Sequence, residues 1–509
     1  MGIKKFNLKK MFILVTILSI VSKGFGFFRD MIITSYIGFG AETDGILLAI
    51  SIPTTLTSLF QTTVRTTFSP IFSSLYKEDQ IKANVTFNNI KNQIYILLFA
   101  YTIFFFKTSD SFVKIIAPGL NIKQHQITLE LIQITSILIL FYGIFYVFNG
   151  YLQAIQIYSV AEVSGILNNI TIILMVILLY KKYNYYTVIY GYVLGAFIQV
   201  VYSYVSLKLR TSYRFKRYLD VKDQMSIDFY NMAKYVLLSS FLSQATSFAD
   251  KIVGSFLIEG SISALNYANI VKNTFLTLFL GTLSSMLFPQ MSMKYKESMA
   301  EFNNTVIKQV RLFILMSSYI AVITYANSNE IIRILFDRGK FTSQGVIMTS
   351  NVLKIYSLGF IFWSVRETFL KAFYSSKNTK IPVLTSFISL LINMLFNVLL
   401  SYFFDYKGLA ISTNISLLIN SLILIAMYKI KFKRIFKLTN IKKEILFLTY
   451  LSFTLLFIRY VEINLIKNQI DSIISILFIK SSIISISCVI GFILIYKKNI
   501  KKLIKQRKK

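Results

Sequence analysis

The chain holds one cysteine (Cys488), one histidine (His125), one tryptophan and five prolines among 509 residues. A single thiol excludes an intrachain disulfide, and one imidazole beside one thiol cannot build a Cys/His metal cluster. Any nucleophile–histidine dyad would have to use His125, which stands in a polar stretch between hydrophobic segments. Charge is scarce too, at 15% of residues, too little to coat a soluble domain of this size. Acids are the scarcer sign, 22 against 55 lysines and arginines, for a net charge of +33. Such an excess can mark a nucleic-acid binder, but here the charges fall between hydrophobic stretches and at the tail, as membrane topology requires. No nucleic-acid partner is expected.

What is abundant is apolar surface: 55% hydrophobic and 16% aromatic residues, with mean hydropathy +0.61. Stretches long enough to cross about 30 Å of hydrocarbon recur throughout. They fall at 11–37, 44–73, 92–106, 128–152, 158–180, 186–207, 227–256, 263–291, 303–325, 346–374, 381–403, 408–428, 444–461 and 472–496. The sequence thus predicts an all-α polytopic membrane protein of about fourteen transmembrane helices. The basic start, Met1 to Lys10, leads into apolar sequence with no small-residue cleavage site and reads as an uncleaved first span. With the N-terminus in the cytoplasm, the connections after even-numbered spans carry about three times the Lys and Arg of the opposite face. Both termini are expected in the cytoplasm of a bacterial cell, and the Ile, Lys, Asn, Phe and Tyr bias fits an AT-rich bacterial genome.

The chain also repeats itself. Asp30, then Phe68-Ser69-Pro70 and Tyr76-Lys77-Glu78, recur as Asp250, Phe288-Pro289 and Tyr295-Lys296-Glu297. Six spans separate the copies, so the halves have parallel topology, an arrangement that builds transporters with the substrate site between repeats. The expected domains are an N-terminal lobe over 1–220, a C-terminal lobe over 221–435, and two added helices with a basic tail over 436–509.

Charges inside apolar spans are costly, roughly 2.5–3.5 kcal/mol each on insertion scales, and usually face a cavity or a partner. Segment 1 carries Lys23, Arg29 and Asp30, with Gly24 and Gly26 interleaved, which would permit a break lining a wet space. Arg65 sits in segment 2, Asp250 and Lys251 in segment 7, Lys272 in segment 8, and Arg366, Glu367 and Lys371 in segment 10. Bases outnumber acids, which suits an anionic substrate, and arginine can grip a phosphate oxygen pair bidentately. The competing reading makes Lys23 and Lys371 interfacial and Arg29–Asp30 and Arg366–Glu367 structural pairs. Function is favoured for Arg29 and Asp30, structure for segment 10. Asn393 and Asn397 share a helical face, and with Thr413 and Asp250 they offer oxygens for a hard cation. Asparagines in membrane helices also commonly bond a neighbouring helix.

The run from Ser22 to Phe72, SKGFGFFRDMIITSYIGFGAETDGILLAISIP followed by TTFSPIF, resembles the opening of the MurJ/MviN family of lipid II flippases. So do Ala117-Pro118-Gly119 and the stretch Leu335 to Pro382 containing FDRGKFT and YSSKNTKIP; together the similarity spans roughly 10–430. The resemblance implies the fourteen-helix exporter-superfamily fold, with a central cavity between two six-helix lobes. It implies cavity roles for Lys23, Arg29 with Asp30, and Asp44. Thr57 and Ile270 stand where arginines align, with Arg65 and Lys272 as substitutes from nearby turns. It also implies a sodium site from Asp250, Asn393, Asn397 and Thr413, with Na+ as a coupling ion and no other cofactor.

The function expected is translocation of undecaprenyl-pyrophosphate-linked peptidoglycan precursor, lipid II, by a monomer embedded among membrane lipids. The missing arginines keep open another lipid-linked oligosaccharide, such as a capsule, O-antigen or exopolysaccharide unit. A membrane-embedded glycan-processing enzyme would need acid/base groups on sizeable loops. The longest loops, 107–127 and 326–345, offer only Asp110, Glu330, Asp337 and His125, so an enzyme is not expected.

Overall fold

The computed structural model describes residues 8–376, 378–432, 442–462 and 472–507. Lys377 of the YSSKNTKIP motif and parts of the basic stretches used for the topology argument (1–7, 433–441, 508–509) lie outside the described residues. Everything assigned is helical: α1 Leu8–Ile37, α2 Ala41–Glu78, α3 Gln80–Lys107, α4 Ser109–Ile116, α5 Ile122–Thr135, α6 Ile137–Ala154, α7 Ser159–Tyr183, α8 Tyr186–Arg210 and α9 Gln224–Gly254. Then follow α10 Ser261–Phe275, a π-helical turn Leu276–Gly281, α11 Thr282–Glu297, α12 Met299–Ala326, α13 Ser328–Phe336, α14 Ser343–Ser375, α15 Lys380–Phe404, α16 Tyr406–Phe432, α17 Lys442–Val461 and α18 Ile473–Arg507.

Among the described residues, ten helices are long and apolar enough to cross a membrane, or eleven if α3 and α4, bent by 72°, form one span. The count of fourteen is not reached by this measure. Expected spans 1, 7 and 8 fall on α1, α9 and the α10–α11 run, which are long helices outside that set. Lys23, Arg29 and Asp30 in α1 and Asp250 and Lys251 in α9 show why composition undercounts them.

Short polar signals set the helix ends. Asp79 accepts from the N–H groups of Ile81 and Lys82 at the start of α3, Asn121 and Gln124 form a capping box on α5, and Asp223, Ser298 and Thr342 cap α9, α12 and α14. The expected break in α1 is absent: the helix runs unbroken through Gly24 and Gly26. Gly26 serves close packing instead, since a Cβ there would lie 3.5 Å from Asn169 of α7.

Several helices at corresponding places in the two expected halves match in length or end point. α2 and α11 end at the matching Glu78 and Glu297. The continuous run Ile122–Ala154 and α14 are each 33 residues long, and α7 and α15 are each 25. Those last two helices stop on residues with nearly the same left-handed backbone, Asn184 at φ 49° and Asp405 at φ 52°.

The chain forms two compact units, 1–260 with 338–341, and 261–337 with 342–509. In the first, α7 packs on α8 and α1, and α2 on α5, α6 and α9. In the second, α12, α14 and α16 share a core of Phe302, Val306, Val310, Phe369, Phe373, Tyr428 and Phe432. The added hairpin α17–α18 closes on α12 through Val322, Phe447, Leu451, Ile458 and Ile484.

Candidate functional site

A cavity of about 540 Å³ opens inside the first unit, walled by α1, α2, α6, α7 and α8. Arg29 projects into it from α1. Its Nε and Nη2 donate to Asp30 Oδ1 at 3.0 and 2.7 Å, and its Nη1 donates to Asn169 Oδ1 at 2.9 Å. The guanidinium carbon lies 5.4 Å from the centre of the Tyr192 ring. Three of five N–H groups are thereby used, which fixes the plane of the fork and leaves two donors for an incoming acceptor. The side chain is 19% exposed, so the charge is held in place while the cavity still reaches it.

Arg65 lines the same cavity from α2. It is solvent-accessible and has no hydrogen-bonded or ion-paired side chain among the described residues. Thr57, where the resemblance places an arginine, is two helical turns earlier on the same face and also lines the cavity. Its hydroxyl donates to the Thr54 carbonyl at 2.9 Å. The positive charge is thus displaced along α2 within one chamber. Lys23 is exposed on α1. Glu162 of α7, a cavity residue, has Ser19, Lys23 and Arg65 as neighbours. Counting Lys23, Arg29 and Arg65 against Asp30 and Glu162, this region carries one net positive charge, as an anion site requires.

The other candidates lie elsewhere. Asp44 is buried in the first turn of α2, where its Oδ2 accepts the Gly260 N–H at 2.7 Å. It holds a turn and does not line the cavity. Lys272 belongs to α10 in the second unit, its Nζ 4.1 Å from the centre of the Tyr356 ring. Asp250 is on α9 in the first unit. Asn393 and Asn397 are fully buried on α15 in the second, Asn397 Nδ2 donating to Asn393 Oδ1 and Asn393 Nδ2 to Ser412 Oγ, both at 3.3 Å. Thr413 on α16 donates to the Leu409 carbonyl at 3.0 Å. No group of three or more His, Cys, Asp and Glu that could hold a metal occurs among the described residues. In segment 10, Glu367 pairs with Lys371 at 3.6 Å.

Asn169, Glu162, Tyr142, Tyr192, Asn149, Gln153 and Gln199 escaped the sequence reading. Their signal was polarity inside apolar spans, above all the Asn168-Asn169 pair in the middle of α7.

Long apolar helices in two compact units, one enclosing a cationic chamber, define a multi-pass membrane transporter. The fold is shared with an inward-facing multidrug resistance MATE family transporter of the MOP superfamily, at TM-score 0.68 and 10% identity over 83% of this chain and 98% of that one. It is shared more closely with a structure described as lipid II flippase MurJ in an inward closed conformation, at TM-score 0.82 and 23% identity over 96% and 100%. The family profile described as "Lipid II flippase MurJ" matches residues 33–496, and the chain belongs to that family of bacterial inner-membrane flippases, which are carriers and not enzymes. Curated relatives named probable lipid II flippase MurJ include one from Buchnera aphidicola subsp. Baizongia pistaciae, 28% identical over 82% of this chain and 83% of its own. Another, from Rickettsia prowazekii, is 24% identical over 79% and 80%.

Proposed function

We propose that this chain carries lipid II from the cytoplasmic to the outer leaflet by alternating access, holding the pyrophosphate on Arg29 and Arg65. The observation that carries this reading is a positioned guanidinium with two open donors in a chamber of net positive charge. Asp30 and Asn169 orient the fork, and the Tyr192 face supports it. Arg65, with no side-chain partner among the described residues, supplies a second contact from α2, and Lys23 adds charge toward the cytoplasmic end of α1. Each charge-assisted hydrogen bond to phosphate is worth about 1.5–3 kcal/mol. No bond is made or broken.

Both termini face the cytoplasm in this reading, on the strength of the Lys and Arg asymmetry, and the working unit is a monomer. Sodium is the proposed coupling ion. The oxygens of Asn393, Asn397 and Thr413 would hold it in the second unit, where amide and hydroxyl donors suit a hard cation. Replacing sodium by choline should then slow transport, and unchanged transport would remove this ion from the account.

Depletion of the protein, followed by identification of any lipid-linked intermediate trapped on the cytoplasmic leaflet, tests the substrate. Accumulated lipid II is the expected result. A different trapped glycan would shift the assignment to another lipid-linked oligosaccharide, a reading that Thr57 in place of an arginine favours.

A further inference from the structure

The cavity of the first unit carries buried amides as well as charges. On α6, Asn149 follows Tyr142 by seven residues; on α8, Gln199 follows Tyr192 by seven. Seven residues are two helical turns, so each amide lies on the face of its tyrosine, about 10 Å farther along the helix. α6 packs against α8, and all four residues line the cavity. Both tyrosines belong to the surroundings of Arg29: Tyr192 lies under the guanidinium, and Tyr142 is among its electrostatic neighbours. The amides therefore form a tier displaced from Arg29 by about two turns, on the side where Gly150 of α6 packs against Val64, the neighbour of Arg65.

These amides are incomplete. Asn149 and Gln199 are 6% and 5% exposed, and Asn149 Oδ1 and Gln199 Oε1 are buried with no hydrogen-bond partner among the described residues. Buried polar atoms are nearly always satisfied, and leaving one unmade is costly. Two such acceptors on adjacent helices, both in the wall of one chamber, are arranged for donors that arrive with a ligand. Gln153, one turn beyond Asn149, extends the same amide face along the wall.

We propose that Asn149 and Gln199 form a glycan subsite that accepts hydrogen bonds from hydroxyl and amide N–H groups of the sugar next to the phosphates. This deepens, and rests on, the lipid II reading. Phosphate has no donor to offer these oxygens when ionised, whereas a sugar with hydroxyl and acylamino groups has several. The cation tier thus fixes the anionic linkage, and the amide tier discriminates by what is attached to it. A site built to bond a substrate OH or NH rejects an analogue lacking it, because its own polar groups are then left unpaired.

The test compares binding of lipid II with binding of sugar-free undecaprenyl pyrophosphate to the purified full-length protein, by native mass spectrometry. Wild type should bind lipid II at least about tenfold more tightly. Asn149→Leu and Gln199→Met should each reduce that preference severalfold while leaving affinity for undecaprenyl pyrophosphate unchanged, and Arg29→Ala should weaken both lipids. Equal wild-type affinity for the two lipids would overturn the subsite while leaving phosphate capture standing, and this comparison needs no variant. A preference unchanged in both variants would overturn it too, with the oxygens satisfied by water alone. Binding of neither lipid by wild type would overturn the flippase reading and the subsite together.

Discussion

Arg29 Nη1 and Asn169 Oδ1 meet at 2.9 Å across the α1–α7 contact, joining residues 140 positions apart. Asp30 alone would leave the guanidinium free to swing about one carboxylate oxygen. The amide sets the second point that fixes its plane. Asn169→Leu should therefore lower the flipping rate about tenfold, roughly the worth of one hydrogen bond to a charged group, with unchanged accumulation in the membrane. A fluorescent or radiolabelled lipid II assay in liposomes reads it; an unaltered rate would show that Asp30 suffices.

Lys480 of α18 is 1% exposed and donates to Glu330 Oε1 at 2.9 Å and Glu462 Oε1 at 2.7 Å. Removing one partner of a buried ion pair leaves an uncompensated charge, at a cost of about 3–5 kcal/mol. Lys480→Met should lower the unfolding temperature in detergent, and adding Glu330→Gln should restore most of the loss. A single variant as stable as wild type would show that water already reaches this triad.

The α8–α9 connection is strapped to α3 by a ladder of amides. Asn88 Nδ2 donates to the Arg214 carbonyl, Asn89 Nδ2 to the Asp220 carbonyl, and Asn92 Nδ2 to the Tyr218 carbonyl, all at 2.8–2.9 Å. The double variant Asn88→Ala, Asn89→Ala should free this strap, making Arg214 and Arg217 severalfold more sensitive to trypsin in inverted membrane vesicles. The same digestion checks orientation, since cleavage in intact spheroplasts would contradict a cytoplasmic strap.

Much of this was legible in the residues. Arg29, Asp30 and Arg65 stood out because charge is rare in apolar spans, and the chamber does bring Arg29 and Arg65 to one wall system. The repeat was read from a handful of matched residues, and several helices match in length across the expected halves. The amides on α6, α7 and α8 were harder to read. A lone Asn or Gln in a membrane helix serves a helix contact as readily as a ligand, and only packing shows which oxygens are left over. Asp44, grouped with the cavity by its place in a motif, is buried at a helix start and bonded to Gly260, a setting the motif alone did not show. The π-helical turn before α11 had no sequence signature, because a helix of the same composition can take either hydrogen-bond register.

The central claim is that Arg29 takes hold of phosphate during transport. The most direct measurement is lipid II translocation by liposomes containing wild type or Arg29→Ala, with insertion of both verified. The wild type should move the lipid and the variant should not, although it is folded and inserted; transport by Arg29→Ala at the wild-type rate would contradict the account.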